Sequence, residues 1–165
     1  ACLDRTNLSR ANLSNTFLSK ATFRKANLNQ VNLQKARLNN ADLSGIDLRG
    51  ADLSGAVMDD IVLHHSKLKG INLEKADLRG ADLSNTDLSG ANLKRARLQK
   101  AIIKDANLSG ADLSGANLEG ADLERSNLTG AKIKGTKFGA VRMSDATWID
   151  GKTICKGGSV GKCRK

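Results

Sequence analysis

Ala76-Asp77-Leu78-Arg79-Gly80-Ala81-Asp82-Leu83-Ser84-Asn85 is one five-residue phrase written twice, and the phrase runs through nearly the whole chain. Thirty such units follow one another from Ala1 to Asp150 without an insertion or a deletion. The third position is apolar in all 30, Leu in 23 and otherwise Phe23, Met58, Ile103, Ile133, Phe138, Met143 and Trp148. The first position is Ala in 19 units, with Thr, Ser, Val or Ile in the rest. A period of five matches neither the turn of a helix nor the alternation of a strand. It matches a chain that turns a corner every fifth residue and sends one apolar and one small side chain inward from each side. Between corners the backbone is extended and pairs with the coil above at about 4.8 Å. Gly fills the fifth position 11 times, where a tight corner needs a permissive backbone. Asn or Asp fills the second position 17 times, which suits turns and side-chain-to-backbone hydrogen bonds.

Composition agrees with a repeat stack and not with a conventional core. Aromatics are 2% of the 165 residues, Pro and Tyr are absent, and 39% is apolar. That is thin for a globular interior and sufficient for a solenoid filled by one Leu and one Ala per unit. No run of eighteen apolar residues occurs, so no transmembrane helix is expected. The chain opens at Ala1 without a basic-then-apolar leader, as expected of a processed or trimmed form.

The A-(D/N)-L-x-x pattern of Ala76 to Leu83 resembles the pentapeptide-repeat family, and the resemblance covers about nine-tenths of the chain. It implies an all-β fold, a right-handed quadrilateral β-helix solenoid with four pentapeptides per coil. Residues 1–150 would then form about seven and a half coils, roughly 35 Å tall. Residues 151–165 would form a short, basic, non-repeat C-terminal cap. Charge supports the coil length. If a coil holds 20 residues, positions n and n+20 are stacked neighbours, and 11 opposite-charge pairs stand at that offset against three like pairs. Leu53, Leu78, Leu83, Leu113 and Trp148 are expected in the inward stack.

The ending after Asp150 resembles the W-x-D-G-x-x-C-x-x-G-S-x-G-x-C close of exported bacterial members. The matching residues are Trp148, Asp150, Gly151, Cys155, Gly158, Ser159, Gly161 and Cys163, with three residues instead of two between Gly151 and Cys155. This resemblance implies a Cys155–Cys163 disulfide closing a nine-residue loop over the last coil, with Trp148 filling the end of the core. The alternatives are two reduced thiols in a flexible tail, or a metal site that lacks any nearby His or third thiol. A disulfide implies an oxidising compartment: periplasm, extracellular space or an organelle lumen, with the cytoplasm as the alternative. Cys2 lies outward on the first unit, with either an upstream partner or none. The first coil shows no cap, so end-to-end self-association through it is an expectation.

Little else carries chemistry. His64-His65 is the only histidine pair, one unit after Asp59 and Asp60, and its plain reading is a solvated corner. Ser44, Ser54, Ser84 and Ser114 have no base to activate them. The Asp and Asn residues recur every five instead of clustering as calcium loops do. Gly-x-x-x-x-Gly spacings never carry the Lys-Ser/Thr of a phosphate loop. No catalytic residue, cofactor, metal or small-molecule substrate is expected, and the chain reads as a non-enzyme.

Net charge is +10, and five of the ten sit in the tail at Lys152, Lys156, Lys162, Arg164 and Lys165. Lys94, Arg95, Arg97 and Lys100 form a second local cluster. Phe17 is the one aromatic expected to face outward, too few for base stacking. The leading reading is a non-enzymatic structural or protein-binding scaffold outside the cytoplasm, its protein partner unnamed. The alternative is a binder of polyanions (nucleic acid, acidic glycan or an anionic membrane surface) through the tail and the Lys94–Lys100 cluster. Gyrase-type DNA mimicry is disfavoured, because a net-positive rod would repel a DNA-binding surface.

Overall fold

The structure, a computed structural model, describes residues 1–165. It contains no helix and no continuous strand. Each repeat unit contributes a single bridged residue, its second, and all 25 parallel bridges join residue n to residue n+20. Four units therefore close one coil, whose sides I to IV start at Ala1, Thr6, Ala11 and Thr16. Corners fall at the fifth position. There φ lies between +54° and +74° in eighteen non-glycine residues and eleven glycines, 29 of the 30 units. Eighteen L-residues thus hold a left-handed backbone that costs each of order 1 kcal/mol. The stack above and below has to hold them there.

Backbone hydrogen bonding explains the second-position preference. In the unit Ala91 to Arg95, Asn92 N–H donates to Ile71 of the coil before, and Leu93 and Arg95 donate to Asp112 and Ser114 of the coil after. Ala96 N–H closes the corner by donating to Leu93 C=O at 3.1 Å. One N–H in five, that of the fourth residue, has no backbone acceptor. Asn92 Oδ1 accepts it, from Lys94 at 3.2 Å. The same bond forms in every one of the 17 units with Asn or Asp at the second position. A short acceptor two residues upstream thus completes the pairing of the unit's N–H groups. Asn32→Ala, which strands the amide of Gln34, is expected to lower stability by about 1 kcal/mol. Lys67→Ala, also at a second position but with no such bond, should leave the denaturant midpoint unchanged.

The interior is a stack of third-position side chains, with first-position residues between them. Leu53, Leu78, Leu83 and Leu113 are fully buried within a cluster of 46. Where the first residue is polar, its hydroxyl finds a carbonyl: Thr86 Oγ1 donates to Leu83 and Ser126 Oγ to Leu123, both at 2.6 Å. Ser66 Oγ donates to Leu43 C=O at 2.7 Å.

The period ends at Asp150, the one fifth-position residue without a positive φ. Its carboxylate accepts the Thr153 hydroxyl at 2.6 Å, Thr153 N–H at 2.8 Å and Lys152 N–H at 3.0 Å. These bonds, the Thr153 hydroxyl first, pull its pKa down to about 2. The chain then reverses and runs antiparallel over the last two units, pairing Ile154 with Thr147 and Val160 with Arg142. Trp148, Asp145 and Met143 N–H donate to Thr153, Cys155 and Ser159, taking the bonds that a further coil would supply. Cys155 and Cys163 are disulfide-bonded with Cα atoms 4.9 Å apart. Trp148 is only partly buried; its ring lies 5.8 Å from that of Phe138.

Candidate functional site

The outward surface consists of four columns of second-position side chains, edged by the fourth and fifth positions at the corners. Side III carries the most regular column. Asn92 Nδ2 donates to Asn72 Oδ1 at 3.1 Å, Asn72 Nδ2 to Asp52 Oδ1 at 3.0 Å, and Gln34 Nε2 to Asp52 Oδ2 at 2.6 Å. Since Asn72, Asn92 and Asp52 also accept the N–H groups of their own turns, this wall is held from two directions. On side IV, Phe17 stands 77% exposed with the Arg37 guanidinium 5.3 Å from its ring centre.

Ion pairs depart from the simple n/n+20 expectation. Of the 11 expected opposite pairs, Asp77–Arg97, Lys104–Glu124, Asp105–Arg125 and Asp122–Arg142 form. Elsewhere fourth-position cations reach a second-position carboxylate, in their own unit (Arg79–Asp77, 2.7 Å; Arg49–Asp47, 2.6 Å) or in the coil above (Lys94–Asp112, 3.5 Å; Lys104–Asp122, 3.0 Å). A long side chain leaving the corner meets the wall residue beside it sooner than the corner residue over it. Asp77 and Asp122 collect two cations each, and burial pushes both upward in pKa. The hydrogen bonds and charges of Arg79 and Arg97, and of Arg142 and Lys104, outweigh it and hold both below the ordinary range. Asp42 is lowered chiefly by the Ser44 hydroxyl and Asp112 chiefly by that of Ser114.

Folded values below the unfolded aspartate value of about 3.9 contribute stability above that pH, and the contribution disappears as pH falls through the folded value. Thermal midpoints should therefore be level above about pH 5 and fall below about pH 4. Asp77→Asn keeps an acceptor for the Arg79 amide and removes the titrating charge. Its midpoint should fall less between those pH values than that of the parent.

Lys94 and Arg95 stand on side III, and Arg97 and Lys100 on side IV. Lys94 is engaged by Asp112 and Arg97 by Asp77, while Arg95 and Lys100 occupy successive corners. In the tail, Arg164 donates to Gly158 C=O at 2.6 Å, and Lys152, Lys156, Lys162 and Lys165 are exposed. His64 and His65 do not face apart, as an extended segment would make them. His65 sits at a left-handed corner with φ +59°, which brings the two rings edge to face at 5.2 Å.

Three open notches interrupt the corners, of about 340, 270 and 470 Å³. The first is lined by Asp59, Asp60, Arg79, Gly80, Gln99 and Lys100, and contains the buried, unpartnered Gln99 Oε1. No three His, Cys, Asp or Glu side chains come together as a metal set, and Cys2 is an exposed free thiol. No helix is long and apolar enough to cross a membrane.

Polar walls locked by their own hydrogen bonds, on a four-sided stack with shallow corners, define a repeat scaffold. Pentapeptide-repeat models match eight copies within residues 1–40, 26–64, 41–80, 56–95, 76–115 and 106–145, and the chain belongs to the pentapeptide-repeat family. That is a family of right-handed quadrilateral β-helices. The chain is similar to QnrB1, a plasmid-mediated fluoroquinolone resistance protein, at 19% identity over 88% of this chain and 73% of that one, TM-score 0.67. It is similar to HetL of the cyanobacterium Nostoc sp. strain PCC 7120, involved in heterocyst differentiation regulation, at 30% identity over 92% and 88% of the two chains, TM-score 0.41. It is also similar to a pentapeptide repeat protein of the Arabidopsis thaliana thylakoid lumen, at 28% identity over 72% and 84%, TM-score 0.49. No curated protein sequence matches it significantly.

Proposed function

We propose that this protein is a non-enzymatic scaffold whose rigid walls bind a protein partner outside the cytoplasm. In this reading residues 1–150 form seven and a half coils, and residues 151–165 cap the last of them. The observation that carries the reading is the side III ladder. Its amides and carboxylates are fixed at strand spacing by bonds to the coil and to one another, so they meet a partner with little side-chain entropy left to lose. The disulfide supports an oxidising compartment.

The test is capture of partners from the native compartment by the parent and by a side III variant, Asn72→Arg with Asn92→Arg, at several salt concentrations. A protein retained at high salt by the parent and lost by a folded variant is the expected result. Retention of nucleic acid or acidic glycan that falls steeply with salt would replace the protein-binding reading with the polyanion one. Two reactive thiols at Cys155 and Cys163 in native protein would overturn the compartment.

A further inference from the structure

Thirty units divided among four sides leave the last coil half built. Units 141–145 and 146–150 are covered by the returning segment, but units 131–135 and 136–140, on sides III and IV, are not. In the coil below, Leu113, Gly115, Leu118 and Gly120 donate to the carbonyls of Lys132, Lys134, Lys137 and Gly139, while the carbonyls of Ala111 and Ala116 accept from Lys132 and Lys137. The corresponding groups one coil up are the N–H of Ile133, Gly135, Phe138 and Ala140 and the C=O of Ala131 and Thr136. None of these six has a backbone partner. Ile133 and Phe138, inward residues by register, are left partly exposed, with the Phe138 ring 5.8 Å from that of Trp148.

The returning segment touches this ledge only at its far corner, where Gly161 lies beside Phe138 C=O and Ala140 N–H, and it goes no further for a visible reason. Gly161 N–H makes its last bond, to Val141 C=O. The disulfide from Cys163 to Cys155 and the bond from Lys156 N–H to Arg164 C=O then draw the chain back over itself. Charge on the ledge has one sign. Residues 131–140 contain Lys132, Lys134 and Lys137 and no acid, and all three lysines are exposed. Every ion pair of the protein uses other cations.

We infer that this ledge is a strand-pairing site for an extended acidic polypeptide that completes the half coil. Such a segment would accept from the four free N–H groups and donate to the two free carbonyls. It would lay apolar residues five apart over Ile133 and Phe138, and stack carboxylates over Lys132, Lys134 and Lys137. Adding a strand to an open edge draws affinity from main-chain bonds and selectivity from side chains. Lysines on an edge repel a second edge like their own, so this edge disfavours a copy of itself and accepts the opposite charge. The inference deepens the scaffold reading and rests on it only in taking a polypeptide as the ligand.

The probe is a labelled peptide of the chain's own phrase with acids outward, A-D-L-E-G-A-D-L-E-G. Its controls are a scramble of the same composition and the basic version A-K-L-K-G-A-K-L-K-G. Fluorescence anisotropy with the full chain should show binding of the acidic phrase alone. Hydrogen exchange at Ile133, Gly135, Phe138 and Ala140 should slow on binding. The triple change Lys132→Glu, Lys134→Glu and Lys137→Glu should weaken binding by about tenfold or more, with the thermal midpoint of the free protein retained. Equal binding of the scramble without amide protection would mean diffuse charge attraction and overturn the site. So would no binding combined with self-association of a Lys132→Ala, Lys134→Ala, Lys137→Ala variant, which would make the lysines guards only. If the phrase fails while a captured partner still responds to Asn72→Arg with Asn92→Arg, the ledge is refuted and the wall reading stands.

Discussion

Leu78→Asp is expected to abolish the cooperative unfolding transition at ordinary temperature. Leu78 is fully buried and lies in register between Met58 and Leu98, themselves fully buried. Truncation to Ala at such a site removes about 2–5 kcal/mol through lost transfer energy and the cavity left behind. Aspartate adds an unpaired carboxylate in the stack, where no hydrogen-bond donor is free to meet it. Together these rival the whole stability of a typical domain, about 5–15 kcal/mol. Each coil of a solenoid is supported only by its neighbours, so a break at Leu78 also separates the coils below it from those above. Lys75→Ala, one corner earlier and exposed, should change stability by less than about 0.5 kcal/mol. Circular dichroism against temperature and urea distinguishes these outcomes. If the Asp variant melts like the parent, the leucine column does not hold the fold.

Removing the Cys155–Cys163 bond, by reduction or as Cys155→Ser with Cys163→Ser, has the second largest expected effect. Closing so short a loop is worth about 2–3 kcal/mol in the chain-entropy model. The loss should be local. Met143, Asp145 and Trp148 depend on the returning segment for their N–H acceptors, so their hydrogen exchange should quicken. Trp148 fluorescence should shift to the red as the segment, whose Thr153 C=O accepts the Trp148 N–H, comes away from this unit. Leu53, whose N–H donates to Asn72, lies several coils away and should exchange as before. Unchanged Trp148 emission and unchanged exchange at Met143 would show that the segment stays in place without the disulfide.

Individual residues show how far sequence reading reaches. Apolar residues at the third position and small ones at the first are enough to place Leu53, Leu78, Leu83 and Leu113 inward, because a strict period assigns every side chain a direction. Asp77 and Asn92 at second positions likewise announced turn-forming acceptors, a bond made with their own unit. Arg79, Lys94 and Lys104 were less readable. Their choice of carboxylate depends on side-chain reach around a corner, and Lys94 selects Asp112 over the stacked Glu74. The His64–His65 contact was hidden for a related reason, since it follows from the left-handed φ of a residue that is not glycine. The ledge at 131–140 had a signal in the count of 30 units over four sides, but its exposure depended on where the tail turned back.

The linear pattern by itself therefore determined period, inside and outside, corner positions and the family, because each follows from interactions within a unit or between identical units stacked on it. Tertiary structure alone decided the things that break this symmetry: which cation meets which carboxylate, and which part of the last coil the returning segment covers. Those depend on side-chain length and on where a covalent link pulls the chain, and neither repeats every five residues.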